Sequence, residues 1–252
     1  MGSSRKKILI DTGQGMPVWI DRVAQVAAEN DIQIVTVLLT HWHGDHAGGV
    51  ADILKRYPHL LSAIHKNRPD QGQQDIEDEQ VFRVDGATVR AVYTPGHAVD
   101  HMCFVLEEEL ALFTGDNVLG HGFTVVEDLG TYMKSLEVMQ SQGCLKGYPA
   151  HGSVIYDLPL KLKEYKSHRL RRERQIVLAL QESRHKRPGR GSVTIEELVQ
   201  AVHGSVSKEA SKMALEPSMN EVLMKLASDR MVGFELQRGA KRWFVNDRVV
   251  KC

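Results

Sequence analysis

Three imidazoles and a carboxylate crowd one hexapeptide, His41-Trp42-His43-Gly44-Asp45-His46. These side chains ligate metal ions, and clustering four of them without a counter-ion is electrostatically costly. His41 and His43 stand two apart, so at the frayed end of a strand they project from the same side and can share one ion. Asp45 and His46 lie beyond Gly44, where the chain must turn, and can face a second. Zinc accepts this mixture of nitrogen and carboxylate oxygen; imidazole also suits iron, and carboxylate admits manganese. Single residues of the same kinds recur downstream: His97 closes Thr94-Pro95-Gly96-His97, Asp116 closes Thr114-Gly115-Asp116, and His151 sits in Tyr148-Pro149-Ala150-His151-Gly152.

All of these but His151, which sits in a glycine-flanked turn, follow an apolar run that reads as a strand. Ile34–Leu39 delivers the hexapeptide, Thr88–Thr94 precedes His97, and Leu110–Thr114 precedes Asp116. Further strands are expected at Ile8–Ile10, Val81–Val84 and Met102–Leu106, with a short one at Ala63-Ile64-His65. Helical spacing over Val18–Asn30, with Pro17 at its start, and over Val50–Tyr57, stopped at Pro58, alternates with the strands and indicates an α/β layer arrangement. Arg68–Gln80 reads as a solvated loop, and Leu129–Gln140 as an amphipathic helix with Leu129, Met133, Leu136 and Met139 on one side. Ligands placed at element ends suit such a fold, whose loops converge at one edge.

Composition narrows the class. A chain of 252 residues can bury a sizeable core and carry a small appendage. Lys and Arg number 32, as do Asp and Glu, so no global field draws the chain to nucleic acid or anionic lipid. Cys103, Cys144 and Cys252 are odd in number and unrelated in spacing, which argues against a disulfide frame. The opening Met1–Lys7 is polar with no secretory apolar core, and no run approaches a membrane helix, so the expectation is a cytoplasmic protein with no membrane partner.

H-x-H-x-D-H at His41–His46, T-P-G-H ending at His97, T-G-D ending at Asp116 and A-H-G around His151 together resemble the metallo-β-lactamase fold superfamily, the αββα sandwich hydrolases, over most of residues 8–160. The resemblance implies that His41, His43 and His97 hold one metal, that Asp45, His46 and His151 hold a second, and that Asp116 bridges both. Two Zn2+ ions are expected, with Mn2+ as the alternative. Asp45 then has two roles, second-metal ligand and proton acceptor or donor for the attacking water, which makes it the catalytic residue. Asp11 resembles the buried aspartate that orients the family's metal loop; capping the turn at Thr12-Gly13 is an equal reading. Trp42 is read as packing or walling the pocket. Among the remaining histidines, His121 in Gly120-His121-Gly122 is placed at the substrate mouth, and His101 is read as decorating the loop after His97.

A finer resemblance lies in Thr94–Met102, Leu112–Gly122 and Gly147–Gly152. These runs look like the lactamase-like thioesterases associated with fungal non-reducing polyketide synthases, the atrochrysone carboxyl-carrier type. That implies hydrolysis of the thioester joining an aromatic polyketide acid to an acyl carrier protein, by attack of a metal-activated hydroxide. The related branch is a mitochondrial lactamase-like endoribonuclease, and single-strand RNA cleavage at the same dinuclear site is the alternative. Family members usually carry a longer N-terminal segment with strands pairing to Ile8–Ile10, so an exposed sheet edge is expected there.

Two domains are expected, residues 1–160 catalytic and residues 161–252 a helical module. Leu160–Gln181 forms a long helix bearing Arg169, Arg171, Arg172 and Arg174, broken at Pro188-Gly189-Arg190-Gly191. Thr194-Ile195-Glu196-Glu197 opens the next helix with a capping box, and Ser207–Ser228 continues, bent near Pro217. Val232–Gln237 and Arg242–Val245 flank Arg238-Gly239-Ala240 as a hairpin, and the whole resembles a winged-helix-like module. Its arginines admit nucleic-acid binding, but Glu173, Glu196, Glu197 and Glu209 dilute the charge and favour a solvated face; docking an acidic carrier protein is a third reading.

Overall fold

The computed structural model describes residues 5–187 and 189–246. The start of the polar opening segment, Pro188 of the predicted helix break and Cys252 lie outside them. The strands and helices run β1 (Lys6–Ile10), α1 (Pro17–Glu29), β2 (Gln33–Leu38), α2 (Gly44–Ala47), α3 (Val50–Arg56), β3 (Ile64–Lys66), β4 (Gln74–Asp75), β5 (Val81–Val84), β6 (Ala87–Tyr93), β7 (Met102–Leu106), β8 (Ala111–Gly115), α4 (Leu129–Ser141), β9 (Lys146–Pro149), α5 (Leu158–Lys186), α6 (Ile195–His203), α7 (Lys208–Ala210), α8 (Glu216–Ser228), β10 (Val232–Gln237) and β11 (Ala240–Val245).

β1 to β4 form a parallel four-stranded sheet in sequence order, and β5 to β9 a five-stranded one, antiparallel except for the β8–β9 pair. The unbroken apolar run in β2 follows from burial on both faces. Leu38 joins Ile8, Val89, Ala91, Met102 and Phe104 between the two sheets. Ile34, Val37 and Leu39 pack outward against Trp19, Ile20 and Val23 of α1 and Ile53 of α3. Removing such side chains from water contributes on the order of 2 kcal/mol each. The predicted solvated loop contains the two-residue strand β4, paired through His65–Gln74 and Lys66–Asp75. In α4 the buried stripe is Leu129, Tyr132, Leu136 and Met139. Tyr132 thus replaces the expected Met133, because its hydroxyl donates to Asn117 O at 2.6 Å.

By contact the chain divides into two units, one of Met1–Glu127 with Thr131–Lys163, the other of Asp128–Gly130 with Glu164–Cys252. In the second, Thr194 Oγ1 accepts from Glu197 N–H at 3.2 Å while Glu197 accepts from Thr194 N–H at 2.8 Å, a complete capping box. The bend near Pro217 is a π-helical turn, Ser211–Leu215, between α7 and α8. β10 and β11 form the antiparallel hairpin, whose Trp243 is buried. The arginine run on α5 is split by helical periodicity: Arg169 is buried and Arg172 half-buried, whereas Arg171 and Arg174 are exposed. No helix among the described residues is long and apolar enough to cross a membrane.

Candidate metal centre

β2 ends at Leu38, and the chain passes through Thr40 into His41 and His43 before α2 opens at Gly44. The three ring nitrogens His41 Nε2, His43 Nδ1 and His97 Nε2 converge at separations of 2.8, 3.0 and 3.2 Å. Their far sides fix the tautomers. Thr40 Oγ1 donates to Asp11 Oδ2 at 2.9 Å, so it accepts from His41 Nδ1–H at 2.9 Å. His97 Nδ1–H donates to Val125 O at 2.8 Å. Both Nε2 atoms therefore present lone pairs 3.2 Å apart, a contact that is repulsive until a cation sits among them. Burial and the neighbouring imidazoles push both His41 and His97 below the ordinary histidine value, leaving these donors neutral.

Asp45 and His46 lie on α2 and turn to the other side. His151 Nε2 stands 3.1 Å from Asp45 Oδ2 and 3.4 Å from Asp116 Oδ1. His46 Nε2 is 3.5 Å from Asp45 Oδ2 and 3.6 Å from Asp116 Oδ1. Asp116 Oδ2 instead faces the first group, 3.6 Å from His97 Nε2. Thus His41, His43 and His97 form one set of donors able to hold a metal ion, Asp45, His46, Asp116 and His151 another, and the two oxygens of Asp116 divide between them. The donor set fits divalent ions on its own chemistry. His46 Nε2 and Asp116 Oδ1 are both buried without a hydrogen-bond partner, an arrangement that a shared cation would satisfy.

Asp11 supports both groups from below. Its Oδ1 accepts from Thr40 N–H at 2.7 Å, and its Oδ2 from Thr40 Oγ1 and His46 Nδ1, each at 2.9 Å. Burial opposes charge on His46, but Asp11 and Asp116 outweigh it and raise its pKa to about 10. At neutral pH a metal entering the second group therefore displaces a proton from His46. Asp11→Asn would aim an amide N–H₂ at the hydroxyl and imidazole that now donate to the carboxylate. The expected result is roughly a 10–100-fold loss of metal affinity, read by competition with a chelating indicator, in a protein that still folds.

His101, expected to decorate a loop, is fully buried and holds the site from behind. Its Nε2 accepts the Asp116 backbone N–H at 3.1 Å, and its Nδ1 is 3.1 Å from Thr94 Oγ1, which donates onward to Cys103 Sγ. Gly115 has φ +49°, and a Cβ there would lie 2.5 Å from His101 Nε2, so only glycine admits this imidazole. The His97 turn is fixed similarly. Gly96, at φ +130°, lets the chain press against Tyr132, and Ser135 Oγ donates to Pro95 O at 2.6 Å. The loop after Asp116 is tied at both ends, with Gly120 N–H bonded to His151 O at 2.9 Å and Glu127 N–H to Gly96 O at 2.8 Å.

His121 lies exposed in that loop beside Gly152, whose Cβ would come within 2.7 Å of its ring. Trp42 is 52% exposed and edges the His43 ring, with centroids 4.5 Å apart. A cavity of about 370 Å³ reaches the second group at Asp45, His46 and His151 and is walled by Trp19, Phe113 and Tyr148. Cys103 and Cys144 are buried and unbridged, and burial pushes the Cys103 thiol up to about 12, so neither is a nucleophile.

Stacked sheets with a histidine and aspartate donor set gathered where their loops meet are the architecture of a metallohydrolase family. The chain belongs to the metallo-beta-lactamase superfamily, which it matches over residues 2–151. It is 69% identical over 245 residues to an atrochrysone carboxyl ACP thioesterase of Aspergillus chevalieri, covering 97% of this chain and 80% of that protein. It is 57% identical over 251 residues to the lactamase-like protein aptB of Emericella nidulans, covering 98% of this chain and 81% of that one. The crystal structure of a metallo-beta-lactamase family protein from Thermus thermophilus shares the fold, with TM-score 0.70 at 21% identity, covering 98% of this chain and 92% of that one.

Proposed function

We propose that this chain is a metal-dependent thioesterase that releases an aromatic polyketide acid from an acyl carrier protein. The division of the Asp116 oxygens between two donor groups carries the hydrolase reading, and kinship with the Aspergillus chevalieri thioesterase carries the substrate class. His41, His43 and His97 would hold one ion and Asp45, His46 and His151 a second, with Asp116 shared. Zinc suits this nitrogen-rich, oxygen-containing set best, and manganese is second. When bound, such ions supply an acidified water and polarise the carbonyl under attack.

The chain's own residues complete the reaction. Asp45 is the more exposed of the two carboxylates in the donor set, 35% against 12% for Asp116. It takes the proton released as water adds to the thioester carbonyl. The C–O bond forms, the C–S bond breaks, and the thiolate leaves with little acid assistance before taking up that proton. Trp42, exposed beside His43, and His121, exposed beside Gly152, are assigned to contact with the acyl group. The second unit, with its capped α6, its α8 and its hairpin, is read as winged-helix-like.

Incubating the metal-loaded protein with a carrier-bound aryl thioester and, separately, with single-stranded RNA tests the assignment. Thiol release with intact RNA is expected, whereas RNA cleavage with an intact thioester would overturn it.

A further inference from the structure

We propose that the exposed face of α5 between Ser167 and Leu178 docks the acidic carrier protein that delivers the thioester; this rests on the thioesterase reading above. α5 is a 29-residue helix, and its periodicity sorts the basic run into two populations. Arg169 and Arg172 turn inward toward Glu221, where burial raises the Glu221 carboxyl and lowers the Arg172 guanidinium. Glu173, the sole acid between Glu164 and Glu182, also faces inward and accepts from Lys225 Nζ at 2.7 Å. Helical geometry therefore removes every negative charge from this face and leaves Arg171 and Arg174 outside. Leu170 and Leu178 flank them at 41% and 58% exposure.

Leu170 and Leu178 lie on the same helical face as the two arginines, so apolar surface and a single sign of charge coincide there. Apolar anchors beside arginines are the composition of a protein interface, and the sign selects an acidic partner. Nucleic acid fits less well. Two exposed arginines supply few phosphate contacts, the chain's formal net charge is zero, and polyphosphate binding gains nothing from exposed leucines. A carrier domain presenting an acidic, partly apolar surface would match both properties.

The test compares Arg171→Glu/Arg174→Glu with the parent chain on two substrates, an aryl thioester on the carrier domain and the same acyl group on a small free thiol. Binding of the carrier domain is measured in parallel by fluorescence anisotropy. The variant is expected to raise KM for the carrier-bound substrate about tenfold and to weaken carrier binding equally. kcat and the small-thioester KM should be unchanged, which also shows that the variant folds. Leu170→Ala, which leaves the charge intact, should reproduce part of the loss. Equal KM changes on both substrates, or unchanged carrier binding, would overturn the docking site and leave the thioesterase reading standing. A parent chain that binds carrier but cleaves neither thioester would overturn the thioesterase reading, while loss of that binding in the variant would still support the docking face.

Discussion

Asp116→Ala should leave the protein with fewer than two bound metal equivalents and reduce thioester turnover on the order of a thousandfold. The reason is geometric. Asp116 Oδ1 lies 3.4 Å from His151 Nε2 and 3.6 Å from His46 Nε2, while Oδ2 lies 3.6 Å from His97 Nε2. No other carboxylate of the site reaches both groups of donors. Removing it also deprives the raised His46 of one of the two carboxylates that hold its proton. Elemental analysis after dialysis gives the stoichiometry, and a thiol-trapping assay gives the rate. Two retained equivalents with near-parental turnover would show that the carboxylate is not shared.

Asp45→Asn separates ligation from proton handling. The amide keeps the shape and one oxygen acceptor, so metal content should fall little, yet it cannot take a proton from water. Turnover should drop by roughly 10²–10⁴-fold. Its position 3.1 Å from His151 Nε2, at the more exposed side of the site, is what makes it the candidate base. An unchanged rate with both metals in place would refute that role, and a parallel fall in metal and rate would reduce Asp45 to a ligand.

The donors were legible in the sequence because their identities are local. A two-residue offset at the end of β2, a glycine, and a one-turn helix suffice to send His41 and His43 one way and Asp45 and His46 the other. Most strands were legible as well, β2 through its apolar run buried on both faces, whereas β4 and β9 carry no such run and were read as loop and turn. What escaped depends on pairing across long separations. His101 looks like a spare loop histidine until β6 and β7 bring it under Thr94 and against the Asp116 N–H. Tyr132 enters the α4 stripe because of a hydroxyl bond to Asn117 O, which periodicity does not register. The run Arg169–Arg174 reads as a solvated face diluted by Glu173, and only the burial of Arg169 and Glu173 shows that part of the run belongs to the interior.

Asp11 reaches its three donors from a left-handed backbone, at φ 57°, a conformation that costs a non-glycine residue ~1 kcal/mol. Glycine at that position would relax the turn and delete the carboxylate in the same step. The three hydrogen bonds that the carboxylate accepts outweigh that strain, so stability and competence rest on the same side chain. The strained backbone at Asp11 is thus held in place by the metal loop it orders, and a loss of the carboxylate would register in melting temperature as well as in metal content.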